Sequence, residues 1–146
     1  RRVRFRLLPE AARHMPHSDL LVLCAGSNDV MASCKPEEWR DDLTASIRQA
    51  KVLTDRIVDS ALDNHNSPVL GKVLRKALVT HIDEQTSISI SVCEQAVVEC
   101  VPLTHADIGD PQVFWASDGF HPSVAGHRRC LAVIIAHMRQ YEEAQR

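Results

Sequence analysis

The chain has no apolar run of the roughly 20 residues that a membrane-spanning helix needs; its longest, Leu20 to Gly26 and Cys130 to Ala136, are far shorter. It also lacks a charge excess. Its 17 Lys and Arg stand against 19 Asp and Glu, a formal net charge of −2, without the basic face of a dedicated nucleic-acid or membrane-surface binder. Neither a Gly-x-Gly-x-x-Gly nor a Walker sequence occurs, so nucleotide use has no support and no cofactor is implied. The five cysteines (Cys24, Cys34, Cys93, Cys100 and Cys130) are odd in number and widely spread. With no Cys-x-x-Cys pair and no zinc-ligand spacing among them, neither a disulfide framework nor a metal site is expected. Cys24 and Cys130 fall in apolar stretches, where free cysteine behaves as a small buried hydrophobe. Such usage fits a reducing compartment and favours the cytoplasm. No repeat or low-complexity segment is visible, neither end resembles a signal peptide, and the first residue is Arg1 rather than methionine.

What is there reads as about one globular domain: 146 residues, 45% hydrophobic and 25% charged, enough to bury a sizeable core without staples. The basic cluster Arg1, Arg2, Arg4 and Arg6 reads as a solvated face. Apolar residues at helical spacing predict a helix over Arg6 to Met15 and a turn over His14 to Asp19. Leu20 to Ala25 is a continuous apolar run closed by Gly26-Ser27-Asn28-Asp29, the pattern of a strand buried on both faces of a parallel sheet. Lys35 to Ala50 predicts a helix, with Pro36 at its start, Glu37 and Glu38 on the positive end of the dipole, and a stripe of Trp39, Leu43, Ile47 and Ala50.

Further strands are expected over Lys51 to Val58 and Ala96 to Leu103, and further helices over Val69 to Ile82 and Pro122 to Tyr141. Asp59 to Pro68 reads as a loop, Ser87 to Val92 as a short strand or a connection, and Thr104 to Pro111 as turns. The alternation predicts an α/β fold, a parallel sheet with helices on both faces.

In such sheets ligands bind beyond the carboxyl ends of the strands, and two loops stand out there. The first is Gly26-Ser27-Asn28-Asp29; an asparagine held beside a glycine at a strand end can aim its amide N–H at a developing oxyanion. The second is Trp115 to Ser123, in which Asp118 precedes His121 by three residues, bent by Gly119 and stopped by Pro122. Its carboxylate can accept from one imidazole nitrogen and leave the other as a general base. Each loop alone has a plainer reading: Gly-x-Asn-Asp as a turn, Asp118 and His121 as caps of the last helix. Trp115 and Phe120 pack that second loop or wall an acyl pocket. His121, His127 and Asp118 do not have the spacing of a metal site.

Together these residues resemble a known family. Gly26-Ser27-Asn28-Asp29 is similar to the third block of the SGNH (GDSL-type) hydrolases, and Asp118-Gly119-Phe120-His121-Pro122-Ser123 to their final Asp-x-x-His block. The resemblance implies a three-layer α/β/α fold and an esterase or lipase, with His121 as base, Asp118 as its orienting partner, Asn28 as an oxyanion donor, Gly26 shaping the loop and Asp29 holding it. The family's Gly-Asp-Ser nucleophile block is absent: Gly109-Asp110 is followed by Pro111, and no Gly-x-Ser-x-Gly elbow occurs. With Arg1 opening the chain, the expectation is a single SGNH-type domain that is N-terminally incomplete, its nucleophile outside the chain and this fragment inactive alone. Ser27 is the best internal serine. The substrate expected is a small-molecule, lipid or carbohydrate ester. The alternative is a non-catalytic α/β module that pairs with a partner through an exposed sheet edge.

Overall fold

The computed structural model describes residues 2–32, 34–62 and 67–144. A π-helical turn, Val3–Leu7, runs into α1 (Leu8–His14), followed by β1 (Leu21–Cys24), α2 (Ser27–Met31), α3 (Pro36–Ala50), β2 (Ile57–Leu62), α4 (Lys72–Ala96), β3 (Glu99–Leu103), α5 (His105–Ile108), α6 (Pro111–Phe114) and α7 (Val124–Ala144). The strands form one parallel sheet in the order β1-β2-β3. Its register puts Leu23 beside Asp59 and Asp59 beside Cys100, with Cys24, Ser60 and Val101 in the next row. Side chains of adjacent rows point to opposite faces.

One face carries most of the core. Trp39, Leu43, Ile47 and Ala50 of α3 and Ile88, Val92 and Cys93 of α4 pack with Leu8, Leu23, Leu53 and Ile57. Burying each large apolar side chain there contributes about 1.5–3 kcal/mol. The other face is thinner: Val58 and Val101 meet Ile134 of α7, with Val133 and Met138 beside it. The helices on both faces give the α/β/α layering.

Several local expectations are corrected. Leu20 to Ala25 is a strand, but not one buried on both faces: Val22 is 41% exposed and Cys24 is exposed as well, so it is no buried hydrophobe. The cause is position. Among the described residues β1 pairs only with β2, and α7 covers Val58 and Val101 but leaves Val22 and Cys24 open.

The second strand lies later than Lys51 to Val58. Lys51 to Leu53 form a turn off the end of α3, and Thr54 Oγ1 accepts from Arg56 N at 3.1 Å, so pairing begins at Ile57. Asp59 to Leu62, expected as loop, complete β2, while Asn64, His65 and Asn66 lie outside the described residues. Ser87 to Val92 is neither strand nor connection but the middle of α4. The hydroxyls of Ser87 and Ser89 donate to the carbonyls of Asp83 and Gln85 four residues back, which makes serine tolerable mid-helix. The turn-rich stretch after β3 contains α5, opened by a Thr104–Asp107 capping box, a reciprocal pairing that satisfies two orphan donors. In the N-terminal basic cluster, Arg4 is drawn out of solvent onto the buried Asp42 at 3.1 Å.

Candidate active site

The two loops singled out above meet at one cavity. It measures about 510 Å³ and lies at the carboxyl ends of the strands; its walls include Asn28, His121, Phe120, Ser60 and Leu103. Its floor reaches Leu23 and Trp39 on one side of the sheet and Cys130 and Ile134 on the other. Such a volume lies in the range that accommodates a small organic ligand.

Local sequence builds the first wall. Gly26 takes φ +119°, and a Cβ there would stand 2.9 Å from Gln85 Nε2 and 3.6 Å from the Trp39 ring. Only glycine fits both the angle and the space. Gln85 Nε2 donates to Gly26 O at 3.0 Å, and Trp39 Nε1 donates to Ser89 Oγ at 3.0 Å. Helices α3 and α4 therefore clamp the turn that starts α2. Asn28 is the second residue of α2, exposed and facing the cavity. Asp29 and Val30 donate their backbone N–H groups to Gly26 O at 2.9 Å, and Asp29 O accepts from Cys34 N at 2.9 Å.

The second wall is a tight loop. Trp115 and Pro122 form an antiparallel bridge, Ala116 N donates to His121 O at 2.8 Å, and Gly119 N donates to Ala116 O at 2.8 Å. Gly119 supplies the bend at φ +67°, and its carbonyl accepts from the Ser67 hydroxyl and from Val69 N. Inside the loop, Asp118 Oδ1 accepts from Phe120 N at 2.9 Å and His121 N at 3.0 Å, while Oδ2 meets His121 Nδ1 at 2.7 Å. These donors, the His121 backbone N–H first, hold the carboxyl down at about 2. Asp118 is thus an acceptor-only carboxylate at neutral pH, so His121 Nδ1 is the donor of the pair, which leaves Nε2 as the acceptor nitrogen of the neutral imidazole.

Helix capping is not the work of this pair. Ser123 caps α7: its Oγ accepts from Gly126 N at 3.1 Å and donates to Val113 O at 2.7 Å. Trp115 is buried with its ring edge-on to Phe114 at 4.8 Å, whereas Phe120 packs edge-on against His121 at 5.3 Å and faces the cavity. Trp115 packs the loop and Phe120 walls the pocket.

Sequence reasoning passed over several of these groups. Ser60 lines the cavity with its buried hydroxyl unpartnered among the described residues. Gln85, which holds the first loop, lies between Ile82 and Ser87, where no element was expected, and Ser67, which holds the second, lies in a segment read as a loop. Only the glycines they serve were visible as signals.

The profile of the GDSL-like lipase/acylhydrolase family matches residues 1–129. The chain belongs to this family. No curated protein matches it. Among solved structures, TesA is similar at 19% identity and a TM-score of 0.68, over 91% of this chain and 68% of TesA. A protein from Slackia heliotrinireducens assigned to the SGNH hydrolases is similar at 18% identity and a TM-score of 0.64, over 90% of this chain and 72% of that one. The fold of this family member is that of the SGNH hydrolases.

Proposed function

We propose that this hydrolase-family chain carries the base, the orienting acid and one oxyanion donor of a serine-type carboxylic-ester hydrolase. The nucleophilic serine comes from outside these 146 residues. The observation that supports this is that His121, its Nδ1 engaged at 2.7 Å by Asp118, lines the same cavity as Asn28. Among the described residues no hydroxyl meets His121 Nε2. In the reaction, Nε2 takes the proton of the attacking serine, the ester carbonyl becomes a tetrahedral oxyanion facing Asn28, and His121 returns the proton to the departing alcohol. Water then attacks the acyl-enzyme by the same route. Asp118 stabilises the imidazolium formed in each step. Phe120, Leu103 and Ile134 supply apolar walls for the acyl group of a small-molecule, lipid or carbohydrate ester.

Fluorophosphonate treatment of the 146-residue chain is expected to leave every serine unlabelled; an adduct on Ser27 would place the nucleophile inside it and overturn that part. In the serine-bearing protein, Asn28→Ala is expected to lower the turnover of a short-chain aryl ester by about 10²–10³-fold, as loss of one oxyanion donor does. Turnover that survives His121→Ala would sink the whole assignment.

A second reading rests on the open edge of β1. Val22 and Cys24 are exposed on a strand paired on one side only among the described residues, the situation that invites strand addition. On this reading the chain is a module completed by a partner strand. Light scattering that shows a monodisperse monomer at high concentration counts against it.

A further inference from the structure

The large core contains one feature that apolar packing does not explain. Asp59 is 2% exposed in the middle of β2, and its Oδ1 has no hydrogen-bond partner among the described residues. Leaving a buried polar group unsatisfied costs about 1–3 kcal/mol, more when it is charged. Beside Asp59 in the sheet register stands Cys100 of β3, and Cys93, 0% exposed at the C-terminal end of α4, packs down onto both. A carboxylate oxygen of Asp59 and the two Sγ atoms all lie within 4.8 Å of one another.

We propose that Asp59, Cys93 and Cys100 bind a divalent, thiophilic cation of the Zn²⁺ class, joining β2, β3 and the end of α4. The geometry is close to what such an ion needs. Zn–S bonds of about 2.3 Å and Zn–O bonds of about 2.0–2.2 Å put tetrahedral ligands about 3.5–3.8 Å apart, a contraction reached by side-chain rotation. The donor set also discriminates: two thiolates exclude hard ions such as Mg²⁺ and Ca²⁺, and the carboxylate disfavours Cu⁺ relative to Zn²⁺. Three protein donors leave one position of the tetrahedron for water. Binding releases the two thiol protons to solvent, and two thiolates with one carboxylate balance the ion to a net charge of about −1. Cys100 is only half-buried, which gives the ion a route in. The cation supplies the partner that Asp59 Oδ1 lacks among the described residues. The site lies in the core behind the catalytic cavity, and its existence does not depend on the esterase reading.

The test uses the reduced, chelator-treated 146-residue chain, titrated with Co²⁺ under argon. The expected result is saturation at one equivalent, with thiolate-to-cobalt charge transfer in the near ultraviolet and the visible bands of a tetrahedral ion, all erased by one equivalent of Zn²⁺. Cys24→Ser/Cys34→Ser/Cys130→Ser keeps these bands, Cys93→Ser or Cys100→Ser weakens the charge transfer, Cys93→Ser/Cys100→Ser removes it, and Asp59→Asn weakens binding at least 10-fold, the lower end of what outer-sphere changes already cost. Because core variants can fail to fold, X-ray absorption of the Zn²⁺-loaded wild-type chain gives an independent reading. Two sulfur scatterers at about 2.3 Å with lighter donors at about 2.0–2.2 Å are expected. Absence of the charge-transfer band, its survival in Cys93→Ser/Cys100→Ser, a shell without sulfur, or a native Cys93–Cys100 disulfide that blocks loading overturns the proposal.

Discussion

Two carboxylates in this molecule stand at opposite extremes. Asp118 sits on an exposed loop, yet two backbone N–H groups and an imidazole nitrogen point at it and hold it at about 2. Asp59 is sealed in the core, one oxygen without a partner among the described residues, and burial pushes it up to about 7, with the Cys93 thiol pulling the other way. Burial sets the Asp59 carboxyl, whereas converging donors set that of Asp118, so the exposed carboxylate is the more strongly held in its charged form. The loop at Asp118 is a small rigid device whose own backbone fixes the charge that orients His121. The strand at Asp59 is a site that the described residues leave one partner short.

The largest expected effect breaks the first half of this contrast. In the serine-bearing enzyme, Asp118→Asn keeps the shape of the loop but offers an amide where His121 Nδ1 needs an acceptor. The imidazole can then turn its lone pair the wrong way, and kcat for an aryl ester should fall by about 10⁴-fold, the scale of the equivalent change in a serine triad. Circular dichroism should show the fold intact. A loss below tenfold would mean that the pair is structural.

The second half of the contrast breaks more gently. In metal-free protein at pH 8, Asp59→Val should raise stability by about 1–3 kcal/mol, because it removes an unsatisfied buried polar atom among Leu23, Ile57 and Cys93 and puts a β-branched residue in a strand. The urea midpoint reports it. A lowered midpoint would show that Asp59 is satisfied in solution by something other than an ion. Next comes the scaffold of the exposed loop. Gly126, in the first turn of α7, lies so close to Phe114 O and Pro122 that an added Cβ would collide with both. Gly126→Ala should cost about 1–3 kcal/mol, the usual range for overpacking, and should loosen the Asp118–His121 pair with it.

The same contrast explains what could be read in the sequence. Asp118, Gly119, His121, Pro122 and Ser123 lie within six residues, so turn chemistry and spacing already imply their meeting. Gly26 to Asp29 is local in the same way. The order of strands and helices followed from periodicity because α3 and the two outer strands carry clean patterns. What was illegible was assembled from afar. Asp59, Cys93 and Cys100 come from three elements, and the Cys93-x₆-Cys100 interval spans a helix end, the left-handed Val97 turn and a strand start, so no ligand spacing appears. The Ile88, Ile90, Val92 alternation suggested a strand, but two periods overlap there: Ile88, Ser89 and Val92 also form one helical stripe, and that is the face α4 buries. An unpaired edge on the Leu20 to Ala25 strand follows from the absent nucleophile block, but the exposure of Val22 and Cys24 does not, because an apolar run reports composition and not which strands the last helix covers.

The smallest effect is the most diagnostic of how the exposed carboxylate is held. A depressed native value means that Asp118 contributes stability fully above its ordinary value of about 3.9, and that this contribution is lost as pH falls through about 2. Carbon-13 NMR of the Asp118 carboxyl should therefore show a midpoint near 2 in the wild-type chain. His121→Ala removes the ring donor but neither backbone N–H, and the backbone donors of His121 and Phe120 are the larger causes. The midpoint should rise only part of the way toward the ordinary value, with Asp118 still ionised at every pH at which an esterase works. A full return to about 3.9 would show that the imidazole organises the loop. A partial one would show the loop holding its charge in advance of the base it orients.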